Sequence, residues 1–338
     1  RSHDYVSKEV INVRENVGLI EVANFSKHEF KGPDARKFLD HIMAGRLPKP
    51  GRISLSPMLS YRGKLCGDLT VACLDENEFM VFGSGAAQEM HRRWFESHLD
   101  KFNLSYSNRS DEYHGLSIAG PNSRKVLEKI VRDDVSNEKF KFRDSRRMFV
   151  GGVPAIINRI SFTGELGYEI YVAPHYQLKL YEELMEAGKE FNIKPFGGRA
   201  LMSMRLEKNW GAWTLDYRPD FTAKETGLDA FINWDKEFIG KESAQKENSS
   251  NKLVPLIVET NEIDVTNNEA VLNGDQSIGY VTSGGFAHFV NKSVAFTFVD
   301  QKKIKSENKI QVEINGDLFN CSIIKEPLYD PSGQKMRS

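Results

Sequence analysis

Hydrophobic positions recur along this chain with two periods, and the change between them divides it. Over residues 4–242, short apolar or alternating runs interleave with stretches of helical period; over residues 253–330 only short β-type runs remain. Leu69-Thr-Val-Ala-Cys-Leu and Glu78-Phe-Met-Val-Phe predict paired strands across the turn Asp75-Glu-Asn. Met148-Phe-Val, Ala155-Ile-Ile and Tyr168-Glu-Ile-Tyr-Val predict further strands, and Glu21-Val-Ala-Asn-Phe-Ser leads into another. Helices are predicted over 86–99, 176–191 and 199–208; the second puts Leu178, Leu180, Tyr181, Leu184 and Met185 on one apolar side. Residues 4–17 are polar with apolar punctuation and receive no element.

Two segments resemble each other. Phe30-Lys-Gly-Pro-Asp-Ala-Arg-Lys-Phe-Leu and Ile118-Ala-Gly-Pro-Asn-Ser-Arg-Lys-Val-Leu share Gly-Pro, a short polar residue, Arg-Lys and a leucine. Each reads as strand, tight turn and helix, with Asp34 and Asn122 placed to cap and Leu39 and Leu127 facing a core. Two α+β lobes related by duplication, or one recurring strand–turn–helix solution, both fit this pair. The polar stretch 243–252 predicts a linker. Beyond it, Leu253-Val-Pro-Leu-Ile-Val, Ile278-Gly-Tyr-Val-Thr, Ser293-Val-Ala-Phe-Thr-Phe-Val, Ile310-Gln-Val-Glu-Ile and Leu318-Phe-Asn-Cys-Ser-Ile-Ile are separated by hairpin signals at Asn273-Gly-Asp and Asn315-Gly-Asp. They predict a small antiparallel barrel or sandwich.

Composition narrows the function. The 338 residues are 40% hydrophobic and 28% charged, with a formal net charge of -1. That is a globular balance without the basic surface that nucleic-acid binding needs. No apolar run approaches a membrane span and no signal-peptide pattern opens the chain, so a cytoplasmic protein is expected, or a matrix protein in a mitochondrion. Cys66, Cys73 and Cys321 lack C-x-x-C spacing and read as reduced thiols. None of the eight histidines pairs with another at zinc-ligand spacing. Phe82-Gly-Ser-Gly-Ala-Ala-Gln-Glu lies between a strand and a helix but lacks the third glycine of a dinucleotide fingerprint. It reads as a Gly-rich turn.

Four segments resemble the glycine-cleavage T-protein (aminomethyltransferase) family: Gly63-Lys-Leu-Cys-Gly-Asp-Leu-Thr-Val, Ser161-Phe-Thr-Gly-Glu-Leu-Gly-Tyr-Glu-Ile, Gly198-Arg-Ala-Leu-Met-Ser-Met-Arg-Leu-Glu-Lys and Gly279-Tyr-Val-Thr-Ser-Gly-Gly. They occur in the family's order and span most of the chain. Val13-Arg-Glu-Asn-Val-Gly-Leu, Leu206-Glu-Lys-Asn-Trp-Gly-Ala-Trp with Asp216-Tyr-Arg-Pro, and Pro327-Leu-Tyr-Asp-Pro-Ser-Gly bring it nearer to the C-terminal folate domain of dimethylglycine and sarcosine dehydrogenases. The resemblance implies an α+β, aminomethyltransferase-like fold: two related lobes over residues 4–242, and a C-terminal antiparallel β-barrel over 253–330. It implies tetrahydrofolate as cofactor, a one-carbon donor, and a flavin domain or subunit as possible partner. FAD would enter only with an N-terminal domain beyond this sequence, and the chain is then a C-terminal piece of a longer flavoenzyme or a stand-alone relative with a short start.

Site residues follow from the same match. Asp68 starts an otherwise apolar strand, and an acid there is costly to bury without a partner. By position alone it is a strand-end aspartate; the resemblance makes it the catalytic acid that activates the folate amine. Thr70 and Ala72 share its face and are expected to line the pterin slot. Glu169 reads either as an outward polar residue of an alternating strand or, by resemblance, as the carboxylate gripping the pterin edge. Phe162 stands where relatives often carry tyrosine, keeping a ring and losing a hydroxyl. Glu165 reads as a loop residue. Arg199 opens a helix, where a cation opposes the helix dipole, so an anionic partner is expected; the resemblance puts it in the folate pocket. Tyr329 is expected to close that pocket. The leading expectation is capture of the methylene unit from demethylation of an N-methyl amine as 5,10-methylenetetrahydrofolate. The alternatives are a stand-alone glycine-cleavage aminomethyltransferase acting on a lipoyl carrier, and a non-enzymatic folate-binding module.

Overall fold

In a computed structural model, which describes residues 2–260 and 263–338, helix α1 (Ser2–Glu15) and strand β1 (Val17–Glu21) precede two lobes. The first lobe runs β2 (Ser26–Lys31), α2 (Ala35–Ile42), β3 (Arg52–Leu59), β4 (Leu65–Asp75), β5 (Glu78–Gly83), α3 (Gln88–Glu96) and β6 (Ser105–Asn108). The second runs β7 (His114–Ala119), α4 (Ser123–Glu128), β8 (Ser145–Val150), β9 (Val153–Asn158), β10 (Gly167–Val172), α5 (Gln177–Gly188) and β11 (Ile193–Pro195). Helices α6 (Gly198–Glu207), α7 (Ala223–Thr226) and α8 (Lys241–Gln245) lead to the barrel strands β12 (Asn251–Val258), β13 (Ala270–Asn273), β14 (Gln276–Ala287), β15 (Lys292–Asp300), β16 (Ile310–Ile314) and β17 (Asp317–Ile323).

The lobes repeat one topology. Their sheets run β3-β4-β5-β2-β6 and β8-β9-β10-β7-β1-β11, the second with β1 inserted. This decides the question the paired motifs left open in favour of two related lobes. At the repeated Gly-Pro turns, Gly32 and Gly120 have φ of 136° and 132°, and a Cβ on Gly120 would come within 2.5 Å of the Asn16 carbonyl. The expected caps do not form. Asp34 and Asn122 have ψ near 0° rather than the extended value that aims a side chain at the first turn. Asp34 instead accepts from the Asn103 N–H at 2.8 Å, and Asn122 from Lys125 Nζ at 3.1 Å.

Period-2 alternation gives each sheet two apolar faces. The outer faces pack under helices: Leu69, Val71 and Cys73 with Phe38 and Phe95, and Tyr168, Ile170 and Val172 with Leu180 and Leu184. The inner faces meet each other through Ile53, Ala72, Met80, Phe82, Ile156 and Tyr171. The barrel closes in the order β12-β15-β14-β13-β16-β17 around Val271, Val281, Ala295 and Val312. Both expected hairpins are present: Asn315 and Gly316 have φ of 53° and 91°, a type I′ turn, while the first centres on Gly274-Asp275.

Some sequence expectations need correction. Residues 4–17 are mostly the helix α1, whose Val10 and Val13 pack against Ala119, Phe196 and Met204. Strand β3 carries Pro57, tolerated because β3 is a sheet edge. Leu178 is 68% exposed, so the apolar side of α5 is Leu180, Leu184, Tyr181 and Met185, which pack on the second lobe's core without it. The polar stretch 243–252 is not all linker: it begins within α8 and ends within β12. Gly85 in the Gly-rich turn makes a close backbone approach, since a Cβ there would lie 2.0 Å from the Asn24 carbonyl.

Candidate active site between the lobes

Asp68 and Glu169 lie on the inner faces of the two sheets. Asp68, Thr70 and Ala72 alternate along β4, and Ala72 belongs to the apolar layer between the sheets. Glu169 and Tyr171 alternate along β10, and Tyr171 belongs to the same layer. Thr70 pairs across the ladder with Phe82, whose ring lies 4.6 Å from that of Tyr171. The two carboxyl groups thus belong to the inner faces of opposite lobes.

Their surroundings differ. No described side chain hydrogen-bonds the Asp68 carboxyl, and burial pushes its pKa up to about 7. The residue as a whole is only partly buried. Glu169 is also pushed up to about 7 by burial, against the lowering effect of a 2.8 Å hydrogen bond donated by the Tyr171 hydroxyl to Oε2. Glu169 keeps 8% exposure, and its Oε1 has no described protein donor. Two carboxyl groups pushed up to about 7, on the inner faces of the two lobes, can exchange protons near neutrality and accept hydrogen bonds from a donor-bearing group.

The segment after α6 lies against the same region. Trp210 stacks on Phe162, centroids 5.8 Å apart and planes at 22°. Tyr217 is close enough to Asp68 that the carboxylate charge, after burial, raises its phenol. Asp216 anchors this segment: it accepts from Arg205 Nη1 at 2.7 Å, Thr282 Oγ1 at 2.5 Å, Ser283 Oγ at 2.7 Å and the Ala212 N–H at 3.0 Å. Thr282 and Ser283 belong to the β14 segment singled out in the sequence, so the barrel holds this segment.

Tyr329 joins a buried ionic network that the sequence reading missed. Its hydroxyl donates to Glu165 Oε1 at 2.6 Å, and Arg14 lies 3.9 Å over its ring. Arg14 also pairs with Glu165 at 2.9 Å and Glu207 at 2.6 Å and donates to the Thr163 carbonyl at 2.6 Å. Lys208 donates to the carbonyls of Tyr329 and Asp330. Glu165 is therefore a buried ion-pair partner, 1% exposed, and not a plain loop residue. The available signal was that Arg14, Glu165 and Glu207 each lie within a matching segment.

Two expected site residues stand apart. Ala72 is fully buried in the layer between the sheets. Arg199 is exposed on the first turn of α6, and no described carboxylate pairs with it, so the expected protein partner is absent.

The fold and its two sheets can be compared with known families. Residues 1–236 match the family described as GCVT N-terminal domain, and residues 251–330 the glycine cleavage T-protein C-terminal barrel domain. The chain belongs to the glycine cleavage T-protein family, and so to a family of aminomethyltransferase enzymes and folate domains. It is 35% identical over 331 residues to mitochondrial dimethylglycine dehydrogenase of Mus musculus, covering 96% of this chain and 38% of that protein. It is 29% identical to an aminomethyltransferase of Thermoanaerobacter pseudethanolicus, covering 96% of this chain and 89% of that one. Aminomethyltransferase T of Bartonella henselae has the same fold, with a TM-score of 0.87 at 23% identity, covering 96% of this chain and 90% of that one. The chain thus spans less than two-fifths of the length of the dehydrogenases it matches. Among the described residues no helix is long and apolar enough to cross a membrane.

Proposed function

We propose that this chain binds tetrahydrofolate in the cleft between its lobes and loads it with a methylene unit from an N-methyl amine of the dimethylglycine or sarcosine type. The product is 5,10-methylenetetrahydrofolate. The observation that carries this reading is the pair Asp68 and Glu169, two carboxyl groups on the inner faces of the two lobes' sheets, each pushed up to about 7 by burial. Tetrahydrofolate supplies the nucleophilic amines N5 and N10. Glu169 accepts hydrogen bonds from the pterin donor edge, and Phe162 with Trp210 offers a ring platform. Asp68, with no described side-chain partner and pushed up to about 7 by burial, takes the proton that the amine loses on forming its bond to carbon. Thr70 flanks Asp68 on the same strand face, and Tyr329 closes the far side. Arg199, with no protein carboxylate to meet, is assigned to a carboxylate of the ligand.

Two-electron oxidation of the N-methyl amine to an iminium by a flavin-bearing domain or subunit is the proposed first step; the methylene carbon then passes to N5 and N10, the demethylated amine leaves, and the 35% identity to a dehydrogenase favours this donor. A second reading, a glycine-cleavage aminomethyltransferase served by a lipoyl carrier, is favoured by the 89% coverage of the aminomethyltransferases. Ammonia release from an aminomethyl-lipoyl carrier separates the two. Titration calorimetry with tetrahydrofolate tests the shared part: binding is expected, and no binding at millimolar ligand ends both readings. Asp68→Asn is expected to keep binding and lose methylene transfer.

A further inference from the structure

Among the described residues, one protein group hydrogen-bonds the Glu169 carboxyl: the Tyr171 hydroxyl, at 2.8 Å from Oε2. The geometry around that phenol is tightly set. Tyr171 is 1% exposed, and its ring packs on Phe82. On the neighbouring strand Gly115 pairs with Tyr171, and a Cβ there would come within 2.7 Å of Tyr171 Cε1. Residue 115 leaves room for this ring only as glycine. The ring cannot swing, so the hydroxyl is delivered to one place.

We propose that Tyr171 is a positioning residue: its hydroxyl fixes the carboxyl plane of Glu169 and favours its carboxylate form, leaving Oε1 for a donor-bearing ligand edge. The ligand class is a flat amidine-type group offering N–H donors, so this inference deepens the folate reading and rests on it for the ligand alone.

The charge logic is specific. Burial works against the Glu169 carboxylate, and the Tyr171 hydrogen bond works for it. A ligand edge with donors and no acceptor binds the ionised form more strongly, because protonation turns one carboxyl oxygen into a donor and weakens the other as an acceptor. Other charged groups border the layer. Lys27 Nζ lies 5.8 Å from the Tyr171 ring, pushed down to about 8 by burial against the fields of Glu21 and Asp111. Asp68 lies on the inner face of β4. The strands flanking Glu169 put uncharged Ser117 and Asn158 opposite it. Lys27 and Asp68 titrate alike in the native protein and in a Tyr171 variant, so they cancel in a comparison of the two.

Tyr171→Phe keeps the ring and removes the hydroxyl. Carbon-13 carboxyl NMR of the ligand-free protein, with Glu169 assigned through Glu169→Gln, reads its titration directly. Loss of one hydrogen bond to a charged group is expected to raise the midpoint by about one pH unit. Replacing Tyr171 by 3,5-difluorotyrosine, a stronger donor of similar size, is expected to lower it. Tetrahydrofolate affinity of Tyr171→Phe is expected to fall about tenfold at pH 6 and to approach that of the native protein toward pH 9. An unchanged midpoint in both variants, or an affinity ratio that does not vary with pH, overturns the proposal. The NMR midpoints need no ligand. A native protein that fails to bind tetrahydrofolate while the midpoints move apart overturns the folate reading and leaves the Tyr171–Glu169 coupling standing.

Discussion

The ring of Phe82 in the first lobe lies 4.6 Å from the ring of Tyr171 in the second, at an interplanar angle of 31°. Phe82 pairs with Thr70, two residues from Asp68, and Tyr171 is two residues from Glu169. This aromatic contact is one of those that join the strands carrying the two acids in a common layer.

Phe82→Ala removes that contact and leaves a void in the layer shared by Ala72, Met80 and Ile156. A buried phenylalanine truncated to alanine costs about 3–5 kcal/mol. Urea denaturation is expected to show a loss of this size. Tetrahydrofolate affinity is expected to fall with it, because the lobes lose their register. A variant that is destabilised yet binds normally would show that the ring only fills space.

The titration of the acids gives a pH dependence with a definite sign. Asp68 is raised by burial from its ordinary 3.8 to about 7. A carboxyl raised in the folded state contributes stability that is complete below its unfolded pKa and is lost as pH rises through its folded pKa. Asp68 therefore weakens the fold between about pH 4 and pH 7, and more fully above that. Asp68→Asn is expected to raise stability on the order of 2 kcal/mol at pH 8 and to leave it nearly unchanged at pH 3.5. Thermal melts at the two pH values check this. Equal effects at both would mean that Asp68 ionises in the fold as freely as in water.

Much of this architecture was legible because period-2 runs and hairpin dipeptides are local signals. The strands from Leu65 to Gly83, the barrel turns and the acids Asp68 and Glu169 all came from such signals or from matching segments. The misses share a physical cause: they depend on what lies far along the chain. Asp34 and Asn122 have capping side chains, yet their backbone geometry sends those groups elsewhere. Helix α1 holds because Val10 and Val13 meet Phe196 and Met204, nearly two hundred positions on. Glu165 looks like a loop acid until Arg14 and Tyr329 arrive from the two ends of the chain.

Arg14 is the hub of that network and gives a third prediction. It satisfies two buried carboxylates, Glu165 and Glu207, with side chains 1% and 0% exposed. Removing one partner of a buried pair leaves an uncompensated charge and costs about 3–5 kcal/mol. Arg14→Met is expected to lose that much in chemical denaturation. Arg14→Lys keeps the charge but not the fork that reaches both acids and the Thr163 carbonyl, and is expected to recover only part of the loss. Full recovery with lysine would mean that charge alone matters.

Trp210 separates binding from folding. Its indole stacks on Phe162, and both side chains are only partly buried. Truncation there removes little core, so Trp210→Ala is expected to cost about 1 kcal/mol of stability. The segment stays anchored, because Asp216 keeps its bonds to Arg205, Thr282 and Ser283. The platform for a flat ligand is lost, however, and stacking on an aromatic ring is worth roughly 1–3 kcal/mol per ring. Tetrahydrofolate affinity is therefore expected to fall at least tenfold by calorimetry, with the melting temperature nearly unchanged. Loss of stability without loss of affinity would assign the Phe162–Trp210 pair to packing and take it out of the binding cleft.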